Sequence, residues 1–355
     1  MENTLIKAFR DKINENDMIL HIYRNYAGKN KWNVITSAVD WIETSVDGID
    51  VDYLEIANSN SASIKLITFI SCIDILWEGI IQLHRVFYNT SERPFSGSTN
   101  IFHKEMDDNN YWKEIRAAFA AHPTNLDGSK EGEKCFASWS GNFGNGDFSV
   151  IVYSNDPQKD SFFFDIKLDE LFLFATERYN YLNILSSRID KIVADYISKW
   201  RNTVIRLGAD DSIIDTLRVL KQESANRWEN DYVRYRLEEI EDAFSVTTIG
   251  KKNSELLQNY RNALLDEVQD IKNALQEMLL DSEIKSVDDS CEPAYNYPNQ
   301  HIFEPGKGML SWAIESLRKP LGEIVDFDSY SSIKELQVLV RAGWWVLKSK
   351  PCEGD

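Results

Sequence analysis

The sequence has few of the residues that build metal sites and disulfide scaffolds. Its 355 residues include five histidines and four scattered cysteines, without a Cys-x-x-Cys, His-x-x-x-His or His-Glu-x-x-His spacing. Those spacings are typical of zinc sites. Cysteines without a pairing pattern are typical of free thiols in a reducing compartment. We therefore expect neither a metal nor a cofactor.

Long uncharged apolar runs are also missing. The N-terminal segment MENTLIKAFRDKINEND carries charges throughout, and the most apolar run, residues 64–83, contains Lys65, Asp74 and Glu78. A membrane span needs about 20 mostly apolar residues, and a secretory signal needs an uncharged apolar core. We expect a cytoplasmic protein without a membrane segment, in which residues 64–83 form a buried helix.

Positive charge is scarce, with 39 Lys and Arg against 57 Asp and Glu and a net charge of −18. Nucleic-acid-binding proteins usually carry a basic face, so this balance favours a protein partner while leaving room for a local basic cleft. The hydrophobic content of 43% and the aromatic content of 12% are typical of a folded chain. The length suits two domains.

Helical periodicity dominates residues 1–133. Apolar residues recur every three or four positions over 4–26, 32–46 and 63–88, and the last segment is apolar nearly all round. We predict a mainly α fold, in which residues 1–133 form a helical bundle around the helix 63–88. Residues 134–168 change character: CFASWS, DFSVIVYS and SFFFDIKL are rich in β-branched and aromatic residues and are separated by GNFGNG and NDPQKD. They predict a small antiparallel β insert.

The remaining residues predict a C-terminal helical region. Residues 169–283 have the pattern of a long-helix bundle, 284–308 contain three prolines and predict a linker loop, and 309–355 predict C-terminal helices at 309–319 and 331–349. A heptad-like stripe from Leu257 to Leu279 serves either an intramolecular core or a dimer seam. The glycines of GNFGNG allow a phosphate loop, but no Lys-Ser/Thr follows them, so a hairpin turn is favoured.

The stretch YWKEIRAAFAAHP, residues 111–123, carries the candidate chemistry. Its alanines favour a helix, Trp112, Ile115 and Phe119 have core spacing, and Pro123 predicts a helix end near His122. A helix C-terminus favours positively charged side chains. Arginine binds phosphate, and histidine transfers protons near neutral pH. RNA cleavage without a metal needs both functions.

Arg116, five intervening residues and His122 resemble the Arg-x(4–6)-His motif of the HEPN superfamily of helical-bundle proteins, and the resemblance covers about residues 1–185. Many members are metal-independent RNases in toxin–antitoxin and antiviral systems. The resemblance implies an HEPN-like bundle, RNA as the substrate, and Arg116 and His122 as catalytic residues. It also implies cyclic-phosphate or 3′-phosphate products, and a homodimer that pairs two motifs.

Three further residues are candidate accessory groups. His84 and Arg85 close the helix 63–88, where a solvated helix end is the alternative interpretation. Glu114 precedes Arg116 by two positions, so on a helix the two side chains diverge. Tyr111 and Trp112 have the spacing of core residues, with base stacking as the alternative. Asp107 and Asp108 predict a turn before the motif helix rather than a metal site.

These observations leave three classes of function. The first is a metal-independent endoribonuclease in a toxin or antiphage setting, favoured by the Arg116 and His122 pair. The second is a catalytically inactive HEPN-like scaffold that binds protein partners such as an antitoxin. Ala117, at a position often polar in active members, and the acidic composition favour this class. The third is a nucleotide-sensing regulator, which needs a basic pocket.

Overall fold

The computed structural model describes residues 1–49, 60–128, 132–140, 145–208, 211–228, 230–279, 313–314, 316–318 and 320–349. The chain divides into two compact units, Met1–Ala194 and Asp195–Asp355. It is mainly helical with a small antiparallel sheet of four strands. This confirms the prediction of a mainly α fold with a small antiparallel β sheet. The predicted linker 284–308 lies outside the described residues.

In the first unit, the helices before the sheet are α1 Thr4–Asn14, α2 Asp17–Arg24, α3 Trp32–Asp47, α4 Asn60–Tyr88 and α5 Asp108–Arg116. The single helix expected over 4–26 is wrong, because the chain turns between α1 and α2. There the side chain of Asn16 accepts a hydrogen bond from the N–H of Met18 (3.1 Å) and caps α2. Asp107 caps α5 in the same way, through the N–H of Asn110.

Helix α4 is buried on most sides, as its all-round apolar sequence predicts. It packs tightly against α3 at Gly79. A Cβ atom at this position would lie 2.6 Å from Cγ1 of Ile42 and 3.3 Å from the carbonyl oxygen of Ala38. The two helices therefore pack at a distance that requires glycine here.

Helix α5 continues directly into a π-helical turn, Ala117–Ala121. The N–H of His122 donates to the carbonyl of Ala117 (3.0 Å), five residues earlier, and closes this turn. Trp112, Ile115 and Phe119 are each 1% exposed, which confirms the predicted core face. Trp112 stacks on Phe174 of α6 (Leu168–Arg201), with 4.8 Å between ring centroids. These contacts fix the motif helix against the bundle.

The sheet follows the motif helix and has the order β1-β2-β3-β4. Its strands are β1 Leu126–Asp127, β2 Lys134–Trp139, β3 Phe148–Ser154 and β4 Phe162–Ile166, all antiparallel neighbours. The predicted β insert is thus present, with one short extra strand. The N–H of Ala137 donates to the carbonyl of Pro123 (2.6 Å). The chain therefore joins the sheet one residue after His122. The predicted GNFGNG turn lies partly outside the described residues.

In the second unit, the described helices are α7 Ile213–Arg227, α8 Asp231–Ser245, α9 Lys251–Glu277 and α10 Ile333–Ser349. Within the long-helix bundle predicted over 169–283, helical apolar spacing runs without interruption over 217–244 and predicts one helix. The structure instead breaks between α7 and α8, where the Asn230 side chain accepts from the N–H of Val233 (3.1 Å) and caps α8. The apolar stripe of α9 is buried in the core of this unit, so its intramolecular use is confirmed.

Arg227 is fully buried at the centre of the second unit. Its guanidinium donates to the carbonyls of Trp200 (2.7 Å) and Leu275 (3.4 Å) near helix ends and to that of Thr203 (2.6 Å) just after α6. Its Nε donates to the carboxylate of Glu223 (2.8 Å). The last carbonyls of a helix lack partners within that helix. Arg227 therefore closes the ends of α6 and α9 with one side chain.

Candidate functional site

Arg116 lies at the end of α5 and forms an ion pair with Asp74 of α4. Its Nη1 donates to both carboxylate oxygens, at 3.1 Å to Oδ1 and 2.9 Å to Oδ2. The indole Nε1 of Trp112 also donates to Oδ1 (3.4 Å). The Arg116 side chain is 36% exposed. Among the described residues, no group accepts a hydrogen bond from Nε or Nη2 of Arg116, so two of its three nitrogens face outward without a protein partner.

His122 lies at the other end of the π-helical turn and is exposed. Its backbone is fixed on both sides, because its N–H donates to Ala117 and its carbonyl accepts from the N–H of Asn125 (2.9 Å). In the part of the chain that the structure describes, the imidazole makes no hydrogen bond, ion pair or ring contact. The ring is therefore accessible for proton transfer on a rigid backbone. The helix end predicted at His122 is observed.

The π-helical turn sets the relation between Arg116 and His122. A π turn adds one residue to a helical turn, and such insertions are frequent at functional sites. The face of the turn that enters the core is formed by Ala118 and Phe119. Phe119 packs edge-on against Trp139 and Phe164 of the sheet, at 5.8 and 5.6 Å between centroids. The helix bundle and the sheet thus hold the turn between them.

Asp74, the partner of Arg116, is a residue that the sequence pattern did not single out. It lies 42 positions before Arg116, and its only sequence signal is an acid within the most apolar helix. Glu114, in contrast, lies at the surface with its carboxyl partly covered, and it forms no ion pair with Arg116. Partial burial raises the pKa of Glu114. Its side chain diverges from Arg116, as the spacing predicts.

His84 and Arg85 lie elsewhere on the first unit. The 11 residues from Asp74 to Arg85 correspond to about 16 Å along α4. Nδ1 of His84 is 2.8 Å from the hydroxyl of Tyr181, and its ring stacks on Tyr88 at 4.7 Å. Burial and the neighbouring Arg85 cation lower the pKa of His84. The structure does not bring these two residues to the Arg116 site.

Other predicted residues have structural roles. Tyr111 and Trp112 are buried, which matches core packing. Asp108 is fully buried and accepts hydrogen bonds from the N–H groups of Ile101 and Phe102. Within the described ranges, no three His, Cys, Asp or Glu side chains are grouped as metal ligands. No described helix has the length and apolar character needed to cross a membrane.

Comparison with known proteins identified no relative of this chain. The sequence matches no protein-family model, no curated protein and no solved structure.

Proposed function

We propose that the first unit is an HEPN-like helical bundle that cleaves RNA without a metal, with Arg116 and His122 as its catalytic residues. The observation that carries this proposal is the one-sided anchoring of Arg116. Because Asp74 engages Nη1 alone, Nε and Nη2 remain for a phosphate. Arginine binds phosphate best through two parallel N–H donors. The ion pair then orients the guanidinium without occupying its whole donor set.

The chemistry assigned to the two residues is an internal transesterification. The ribose 2′-oxygen attacks the adjacent phosphorus, the bond from phosphorus to the 5′-oxygen breaks, and a 2′,3′-cyclic phosphate and a 5′-hydroxyl result. Arg116 stabilises the charge that builds on the phosphate oxygens. His122 removes the proton of the 2′-hydroxyl or protonates the leaving 5′-oxygen. One imidazole does not do both in a single step, so a second copy would supply the other histidine.

The test is cleavage of an end-labelled RNA pool in EDTA by matched variants. His122→Asn is paired with the control His103→Asn, and Arg116→Gln with the control Arg218→Gln. We expect wild type and both controls to cleave and leave cyclic-phosphate ends, and both site variants to lose at least a hundredfold in rate. Equal cleavage by all five proteins, or cleavage by none, would count against this function.

A protein-binding scaffold is the second candidate, because Asp74 neutralises the Arg116 charge and the sheet exposes aromatic side chains. Phe136 lies opposite Tyr153, and Ile151 lies opposite Phe163, on one face that we call the outer sheet face. Phe136, Tyr153 and Phe163 are 39%, 41% and 51% exposed. Exposed apolar patches often mark interaction surfaces.

The RNase candidate requires a second copy to supply the other histidine, and we assign the outer sheet face to this association. We expect wild type to scatter light as a particle of twice the 41.0 kDa chain mass, and Phe163→Lys to scatter as a single chain. Lys113→Ala, a change at another exposed position of the first unit, should leave the mass unchanged. A single-chain mass for wild type would remove the homodimer from the RNase candidate.

A further inference from the structure

A basic pocket lies where the end of α4 meets the start of α3, and the function proposed above does not use it. The pocket is open to solvent and has a volume of about 380 Å³, which is enough for a small ligand. Its charged lining residues are Lys29, Lys31 and Arg85. None of the described residues that line it is acidic. In a chain with a net charge of −18, three cations around one cavity form a distinct positive site.

The cations of this pocket have little internal compensation. Nε of Arg85 is buried and has no hydrogen-bond partner in the structure. Lys29 is exposed and forms no ion pair with any described residue. The ammonium of Lys31 lies 4.4 Å above the ring centre of Tyr26 and donates to the side-chain oxygen of Asn89 (3.2 Å). None of these contacts neutralises the charge.

The backbone adds to the positive potential. Lys31 is the N-cap of the 16-residue helix α3, and Val34 in its first turn lines the pocket. A helix N-terminus favours an anion. The opposing carbonyls at the end of α4 are already used, because Arg85 and Val86 accept from the N–H groups of Thr90 (3.2 Å) and Asn89 (3.4 Å). The negative end of α4 is thus partly screened.

We propose that this pocket binds the phosphate group of a small phosphorylated ligand of nucleotide size. Arg85, Lys29 and Lys31 contact the phosphate. The side chains of Gln82, Asn89 and Thr90, which also line the pocket, offer donors and acceptors to the rest of the ligand. The inference stands independently of the proposed RNA cleavage.

A small ligand fits this surface better than an RNA strand. A strand needs a continuous basic track along several phosphates, whereas the chain is acidic overall and the three cations converge on one cavity. Repulsion from the rest of the surface disfavours a long polyanion, but local charge still captures one compact anion. Inorganic phosphate, nucleotides and RNA all carry phosphate groups, and the test distinguishes these ligands from one another.

The test measures binding by calorimetry at low salt to the full chain. The probes are inorganic phosphate, the four ribonucleoside monophosphates, ATP, adenosine and a decameric RNA. Adenosine differs from AMP only by the phosphate, so the pair isolates that group. Arg85→Gln and Lys29→Gln remove one charge each, and Lys252→Gln at an exposed position of the second unit is the control. Thermal melting checks the fold of each variant.

We expect at least one nucleotide to bind and adenosine not to bind. Arg85→Gln and Lys29→Gln should each weaken binding by roughly tenfold or more, because each removes a charged contact to phosphate, and Lys252→Gln should not. Lys29 is exposed, so its variant keeps the test valid if Arg85→Gln fails to fold. Failure of every phosphorylated probe at millimolar concentration would overturn the proposal. So would affinities unchanged in both pocket variants, or RNA binding that nucleotides do not displace.

Discussion

Arg116 and Asp74, 42 positions apart in the chain, are joined through Nη1 of the guanidinium alone. Both side chains are partly exposed, at 36% and 23%, so solvent screens the pair and its net contribution to stability is small. The main consequence of the ion pair is the orientation of the Arg116 guanidinium. The carboxylate holds the guanidinium at Nη1 and leaves Nε and Nη2 without a partner among the described residues, which is the arrangement that the proposed phosphate contact uses.

The first prediction concerns Asp74→Asn. We expect the free energy of unfolding to change by less than about 1 kcal/mol, while RNA cleavage falls at least tenfold because Arg116 loses its anchor. Asp190→Asn removes the exposed partner of Lys12 and serves as the control, with unchanged cleavage. Urea unfolding and single-turnover cleavage measure the two effects. An Asp74→Asn rate equal to that of wild type would show that Arg116 acts without its carboxylate partner.

The second prediction concerns the buried arginine of the second unit. Arg227→Ala removes the guanidinium that donates to the carbonyls of Trp200, Thr203 and Leu275 and leaves the Glu223 carboxylate without its partner. We expect a loss of about 3–5 kcal/mol in the free energy of unfolding. Arg218, on the same helix, is 72% exposed and pairs with Asp215. Its change to alanine should cost less than about 0.5 kcal/mol. Similar urea midpoints for the two variants would contradict the capping role.

The third prediction is a dependence on pH. Burial of the Glu335 carboxyl opposes ionisation. Hydrogen bonds from the hydroxyl and N–H of Ser331 and from the N–H of Ile249 outweigh this, so the pKa of Glu335 is lowered in the folded chain. A lowered folded-state pKa gives stability that is present above the unfolded-state pKa and lost as pH falls through the folded-state value.

Glu335→Gln should therefore be less stable than wild type at neutral pH and lose less stability on acidification to roughly pH 4. Glu255→Gln, at an exposed ion pair with Lys251, should follow the wild-type curve. Melting temperatures across the pH range provide the measurement. Parallel curves for Glu335→Gln and wild type would mean that this carboxyl has no part in the acid sensitivity.

The fourth prediction concerns the contact of α3 with α4. Gly79→Ala places a methyl group 2.6 Å from Ile42, and we expect a cost of about 1–3 kcal/mol from overpacking, despite the better helix propensity of alanine. Ser71→Ala, at a partly exposed position of α4, should change stability by less than about 0.5 kcal/mol. A Gly79→Ala protein as stable as wild type would show that the two helices separate easily.

Much of the fold could be predicted because its signals are local. The long apolar segment at 63–88 predicted α4 to within three residues of its observed start at Asn60, and β-branched alternation predicted β2 to β4. The breaks between α1 and α2 and between α7 and α8 were missed. Each depends on a single asparagine cap, at Asn16 and Asn230, and apolar spacing continues across both.

The surroundings of the candidate sites could not be predicted, because they depend on how distant helices cross. The alanine-rich stretch predicted the helix end at His122, but its π-helical hydrogen bonding has no sequence signature. Asp74 contacts Arg116 because of the face that α4 turns towards α5. Lys29 and Arg85 line one pocket because of the way α4 packs beside the start of α3. Periodicity assigns a residue to a face but does not identify its neighbour across the interface.

The π-helical turn makes the position of His122 depend on the number of residues between it and Arg116 more than on their identity. Removing one residue, such as Ala121, would allow ordinary α-helical hydrogen bonding and rotate the segment after it by about 100° relative to α5. Point substitutions among these alanines do not change the number of residues between Arg116 and His122. Insertions and deletions, which most surface segments tolerate, would change the position of the imidazole relative to the guanidinium while leaving both residues in the sequence.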